Sequence, residues 1–208
     1  MGNLDKNKKG SAEIFKPKKI AGVPKIIQHD DASGKNVLRE VAKKISLTDI
    51  KTSKIQRVIS DIRMALESQS DGVALSAPQI NVSLRIFVVH SFVYDTPETI
   101  KIKTPKTKKL RTVFINPEII KISKDRKKMD EGCLSVRNWY GKVRRSSRVT
   151  IKSLDENGEE FTIEGSGLLA QIFQHEIDHL DGILFIDKAT SLRKLSNGKL
   201  NKAAKKLN

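Results

Sequence analysis

The sequence predicts an α+β domain, and three observations predict it. One segment, centred on residues 55–66, carries apolar residues at helical spacing, and a second, 166–180, is bounded by helix start and stop signals. Short runs rich in β-branched and aromatic residues lie between them, divided by turn signals and without regular strand–helix alternation. The chain has 208 residues, 38% of them hydrophobic, which suffices for a sizeable core and excludes a disordered polymer.

The elements follow in order. Residues 1–19 read as a flexible Lys-rich arm, with an ordered core from about Ile20 to Asp187 and a basic C-terminal helix or tail over 188–208. A short helix is expected over 37–45. Ile55, Val58, Ile59, Ile62 and Leu66 follow the three-four spacing of a helix with one apolar face, ending near Ser68. After it comes the small-residue stretch GVALSAPQI and then a strand over 84–90, LRIFVVH. Two prolines and many polar residues mark 91–109 as a long surface loop. Strands are expected at 112–115, 118–122, 142–144, 149–154 and 160–163, the last two joined through the turn Asp155-Glu156-Asn157-Gly158. Ser166 can cap a helix running to about Leu180, with Gly182 as a left-handed stop. The segment 190–207 is expected to be a further basic helix. There is no internal repeat.

Composition narrows the function classes. No apolar run approaches the roughly 20 residues needed to cross a bilayer, so no membrane partner is expected. The N-terminus lacks the apolar core of a secretory signal, and the expected compartment is the cytoplasm. The single cysteine, Cys133, excludes an intramolecular disulfide and fits a reducing compartment. The 40 Lys+Arg against 24 Asp+Glu give a formal charge of +16, a field that favours polyanions such as RNA. Lys-rich stretches without interleaved aromatics read first as solvated faces, and nothing points to specific DNA recognition.

The strongest chemical signal is His175-Glu176-Ile177-Asp178-His179, an H-E-x-x-H pattern on the late helix. Four helical residues advance about 6 Å and turn only about 40° beyond a full revolution, so both imidazoles can meet one metal ion. Glu176 lies about 100° around from His175 and can approach the site without being a ligand. A catalytic centre needs a third protein ligand and an open position. Cys133 is the candidate, and a Cys/His/His set suits Fe(II), Zn, Ni or Co.

Three segments together resemble one family. Gly72-Val73-Ala74-Leu75-Ser76-Ala77-Pro78-Gln79 is similar to the G-x-G-L-A-A-x-Q motif of peptide deformylases, Glu131 to Ser135 to their E-G-C-L-S, and Gln174 to Leu180 to their Q-H-E-x-D-H-L. Order and spacing agree, and the resemblance extends from about Leu38 through Asp187. It implies antiparallel or mixed sheets packed around a central metal-binding helix. It also implies that Cys133, His175 and His179 hold one divalent metal, Fe(II) in the cell, and that Glu176 is general base and then general acid. Gln79 and the backbone N–H of Leu134 are implied as oxyanion donors. Gly72, Val73, Ala74, Leu168 and Ile172 are implied to bind the substrate, with Val73, Leu168 and Ile172 around its methionine side chain. Glu131 and Arg145 resemble a salt bridge that steadies the cysteine segment, and Asp178 an orienter of the helix. The implied reaction is hydrolysis of the formyl group from N-formylmethionyl peptides during protein biosynthesis, releasing formate; contact with the ribosome through the basic tail is a partner the resemblance allows.

The chain departs from the motif at Ala74, where a second glycine is usual and an added methyl narrows the approach of a peptide, and at Ser76, whose hydroxyl needs a partner if buried. Gln171 and Arg137 also differ from the common residues. Two other readings stand beside this one: a different H-E-x-x-H peptidase or amidase, and a ribosome- or RNA-binding protein on a deformylase-like scaffold.

Overall fold

The computed structural model describes residues 22–31, 36–95, 110–196 and 199–202. The N-terminal arm over 1–19 and most of the 91–109 loop lie outside the described residues. Among the described residues nine strands form two sheets. β1 (Ala74–Ser76), β2 (Ile86–Val89), β3 (Val113–Ile122), β6 (Arg148–Leu154) and β7 (Glu160–Ser166) make a five-stranded sheet in the order β1-β2-β3-β6-β7. β4 (Arg126–Cys133), β5 (Val136–Ser146), β8 (Leu192–Ser196) and β9 (Lys199–Lys202) make a four-stranded sheet in that order. Every strand pairing within both sheets is antiparallel. The helices are α1 (Leu47–Ile50), α2 (Ser53–Glu67), α3 (Gly167–Leu180) and α4 (Phe185–Lys188).

The uninterrupted apolar run Ile86-Phe87-Val88-Val89 belongs to a strand covered on both faces. Phe87 and Val89 join Phe114, Leu169, Ile172, Phe173 and Ile177 in the core against α3. Ile86 and Val88 point the other way, joining Val113, Ile115 and the α2 residues Ile55, Ile59, Ile62 and Leu66. Period-two alternation thus feeds two cores at once, and no polar face is left to show in the sequence. The Phe87 and Phe114 rings stack with centroids 4.5 Å apart, and Phe173 from α3 meets Phe114 edge-on at 5.3 Å. A third cluster, Val136, Val143, Leu184, Phe185 and Leu192, joins α4 to the second sheet.

α3 therefore lies over the first sheet by apolar packing and is tied to the second by polar bonds. The Gln174 carboxamide donates to the Ser146 carbonyl and accepts from the Ser146 N–H, both at 3.0 Å. Gly182 ends the helix as expected, at φ +75°; a Cβ there would sit 2.6 Å from the Arg39 carbonyl oxygen, so a side chain is excluded by space as well as by conformation.

Several expectations are corrected. The 112–115 and 118–122 strands are one strand, β3, bulged at Asn116-Pro117, where Asn116 takes φ +50° and its side chain bonds both backbone groups of Ile45. Proline, lacking an N–H, fits a bulge where the ladder is interrupted. The helix expected over 37–45 is a single 3-10 turn, Val37–Arg39, followed by extended chain. The Ala42 N–H donates to the Leu180 carbonyl and that of Lys43 to the Ser83 carbonyl, so tertiary partners take the groups that a helix needs. The basic helix expected over 190–207 is instead the β8–β9 hairpin, with Ser196 paired to Lys199; residues 203–208 lie outside the described residues. The intervening residues are Asn197-Gly198, the pair most favoured in two-residue hairpin loops, and Leu192 is buried against Gly141 of β5.

Candidate active site

Cys133 ends β4, and α3 supplies His175 and His179 on one face, four residues apart. One donor atom from each of the three lies within 4.8 Å of the others. Cys133 Sγ is 3.2 Å from His179 Nε2. His175 Nδ1 is 3.1 Å from Glu131 Oε2, which leaves its Nε2 for the centre. Among the described residues this is the group of side chains able to hold a metal ion, and a soft thiolate with two imidazoles suits Fe(II) or Zn.

Glu176 follows His175 and is buried, with its Oε2 lacking any hydrogen-bond partner. A buried polar atom without a partner inside a close-packed protein marks a place where another molecule is expected to supply one. Burial pushes the Glu176 carboxyl up to about 7 in the metal-free chain, against the opposing pull of His175. Burial also opposes charge on both imidazoles. At His175 hydrogen bonds with Cys133 and Glu131 overcome it and hold the pKa well above its usual value, while His179 is held well below its own.

Behind the histidines stands a buried polar network. Arg145 of β5 grips Glu131 with two bonds, Nε to Oε1 at 2.7 Å and Nη2 to Oε2 at 2.9 Å, and extends its third nitrogen to Asp178 at 2.6 Å. Lys188 closes the far side of Asp178 at 2.6 Å. The chain Arg145–Glu131–His175 fixes the ring orientation of His175 through its remote nitrogen, as ligating histidines commonly require. Glu131 is drawn down to about 2, since the hydrogen bonds and charges of His175 and Arg145 outweigh the burial that acts to raise it. A carboxylate depressed this way contributes stability that is fully present above its unfolded value of about 4.5 and lost as pH falls through about 2. In metal-free protein, urea unfolding from pH 6 to pH 2 is expected to show this loss, of order 3 kcal/mol, in the parent and a shallower slope in Glu131→Gln. Equal slopes would remove Glu131 from the acid response.

A cavity of about 340 Å³ opens beside these groups. Its lining includes Gly72, Val73, Ala74, Gln79, Leu134, Leu168, Ile172, Cys133, His175 and Glu176, so the predicted residues other than His179 meet at one surface. His179 lies just behind, 1% exposed. Gln79 Nε2 is 3.5 Å from Cys133 Sγ, and Gln79 Oε1 accepts from the Ser76 N–H and Oγ, each at 2.9 Å. Ala74 lies in extended β1, so the position needs none of glycine's conformational freedom; the residue is 6% exposed, packs in the core against α3 and borders the cavity. Gln171 also lines the cavity, and its amide donates to the Asp130 carbonyl at 2.9 Å.

Some lining residues carried no signal in the sequence. Val136, Asn138, Trp139 and Tyr140 reach the cavity because β5 pairs with β4, and Arg137 bridges to Asp71 at 3.1 Å on the rim. The cysteine strand itself was not expected. Its sequence RKKMDEGC lacks apolar alternation because solvent covers one face and the Glu131–Arg145 pair occupies the other.

Comparison with known proteins agrees with this geometry. Residues 23–195 match the family model described as polypeptide deformylase. The peptide deformylase of Dehalococcoides mccartyi is 41% identical over 155 residues, covering 74% of this chain and 81% of that protein. Among solved structures, a peptide deformylase from Legionella pneumophila superposes with TM-score 0.66 at 37% identity, covering 81% of this chain and 86% of that one. A Met-Ala-Ser-bound class I type b peptide deformylase from Acinetobacter baumannii gives TM-score 0.66 at 27% identity, covering 81% and 99%. The fold, the order of the three motifs and the matches over most of the length lead to one assignment: the chain belongs to the peptide deformylase family.

Proposed function

We propose that Cys133, His175 and His179 hold one divalent metal ion and that Glu176, Gln79 and the Leu134 backbone serve the reaction of the family, hydrolysis of the N-formyl group of formylmethionyl peptides. The observation that carries this reading is the convergence of three metal-binding side chains beside a buried, unpartnered carboxylate oxygen. When bound, the ion supplies Lewis acidity, which makes water a nucleophile near neutral pH.

Glu176 accepts the proton that water releases as its oxygen bonds to the formyl carbon. It then delivers that proton to the nitrogen as the carbon–nitrogen bond breaks, leaving formate and a free α-amino group. A buried carboxyl with a raised pKa suits both halves of that transfer. Gln79 Nε2 and the Leu134 N–H donate to the oxygen on which negative charge develops, and being fixed beforehand they need no reorganisation. Val73, Leu168 and Ile172 offer an apolar wall suited to an unbranched thioether side chain, and the Met-Ala-Ser ligand of the Acinetobacter relative supports that reading.

We infer Fe(II) as the cellular metal from the family resemblance, with Zn, Ni or Co able to occupy the same ligands. We assign the protein to the cytoplasm from its sequence; separately, no helix among the described residues is long and apolar enough to cross a membrane. Substrates of this class emerge on ribosomes, and the basic residues of the β8–β9 hairpin and the segment after it are the part of the chain we assign to that contact.

The test is formate release from formyl-Met-Ala-Ser by anaerobically purified, metal-assayed protein, before and after chelation. Release that stops on chelation and returns with Fe(II) is the expected result. A folded, metal-loaded protein that releases no formate and cleaves unformylated casein would replace this reading with a peptidase.

A further inference from the structure

Ser76, at the end of β1, is fully buried, and its hydroxyl gives its proton to a side chain of the site. Ser153, also buried, bonds the Ile115 carbonyl at 3.0 Å, the ordinary solution for a buried serine in a sheet. Ser76 instead directs both its N–H and its Oγ at one atom, Gln79 Oε1. A carboxamide oxygen has two lone pairs, so both are taken and that end of the side chain is anchored. The opposite end is then Nε2, directed toward Cys133 Sγ. Turning the carboxamide over would set its NH₂ group against the Ser76 N–H and lose that bond; in the observed orientation the hydroxyl adds a second bond to the same oxygen.

We propose that the Ser76 hydroxyl is a positioning group for deformylation, holding Gln79 with Nε2 aimed into the cavity beside Glu176. The inference rests on the deformylase reading above. Ser76 touches no substrate in this role; it acts through Gln79. Removing the hydroxyl leaves the Ser76 N–H bond in place, so the amide is loosened and remains attached, and the expected loss is that of one hydrogen bond, a fall in kcat of about threefold to tenfold. KM is expected to stay within about twofold, because the substrate side-chain pocket is untouched.

The test compares the metal-loaded parent with Ser76→Ala, Gln79→Ala and the double variant, measuring kcat and KM on formyl-Met-Ala-Ser, thermal midpoint, metal content and the ¹⁵N side-chain amide resonances of Gln79. Support is a kcat loss in Ser76→Ala with normal metal content and midpoint, a larger loss in Gln79→Ala, and no further loss when Ser76→Ala is added to Gln79→Ala. Additive losses in the double variant, or a Ser76→Ala enzyme within a factor of two of the parent, overturn the proposal. A fall in midpoint that tracks the fall in activity gives Ser76 a packing role and overturns it as well. If the parent itself releases no formate, the deformylase reading fails, and the resonances decide orientation separately. A Gln79 amide pair shifted away from the exposed-glutamine values and protected from exchange in the parent, which moves to those values in Ser76→Ala, upholds the anchoring, and an unchanged pair overturns it.

Discussion

Replacing Glu176 with glutamine is expected to lower kcat by about a hundredfold to ten-thousandfold, the usual contribution of a positioned general acid–base, while metal content stays at the parent level. Glutamine matches the carboxylate in size and keeps the contacts of a residue that is 3% exposed, but it can neither accept the proton of the attacking water nor return one to the leaving nitrogen. The metal is expected to remain because Glu176 is outside the Cys133, His175 and His179 set. Stability is expected to hold or rise. In the metal-free chain the folded pKa of Glu176 is raised to about 7, so ionising it above that pH costs folding free energy, and the neutral amide removes this cost. Formate release, metal analysis and thermal unfolding at pH 8 check all three. Activity within tenfold of the parent, or loss of metal, would withdraw Glu176 from the proton-transfer role.

Replacing Arg145 with methionine is expected to have the largest effect on stability. The guanidinium and the Glu131 carboxylate are 4% and 2% exposed, and Arg145 also holds Asp178. Its loss leaves the buried Glu131 carboxylate without its guanidinium and Asp178 with Lys188 alone, and breaking a buried pair in this way costs about 3–5 kcal/mol. For a domain of this size that corresponds to a midpoint lower by roughly 6–20 °C. Because Glu131 orients His175, metal affinity is expected to fall by about tenfold to a hundredfold as well. Adding Glu131→Gln is expected to recover part of the stability by removing one stranded charge, without restoring metal affinity. Thermal unfolding and competition with a chelator read the two effects separately. A midpoint within 2 °C of the parent would show that the network contributes little to stability and that water compensates it.

The two motifs richest in chemistry were legible because their spacing is local. His175 and His179 share a helix, where four residues bring side chains to one face, and Glu176 follows from the same periodicity. The helix of Ile55, Ile59 and Ile62, the 84–90 strand and the stop at Gly182 were legible for a similar reason, since each is a short-range pattern of apolar residues or backbone conformation. The tail hairpin was not legible: the density of lysines suggests a basic helix and hides the turn signal of Asn197-Gly198.

By itself, then, the sequence determined the α+β class, the metal-binding helix and, through three motifs in register, the family resemblance. Only the tertiary structure decided that Cys133 ends a strand, because β4 draws its inner face from the Glu131–Arg145 pair and has no apolar alternation to read. It alone decided that the Ala42 and Lys43 N–H groups bond Leu180 and Ser83, so that the helix expected over 37–45 stops at one 3-10 turn. It alone gave the Ser76 hydroxyl its partner, Gln79, three residues away across a tight turn. In each case the deciding interaction is a hydrogen bond or buried ion pair between particular atoms, and such bonds leave no periodicity in the chain.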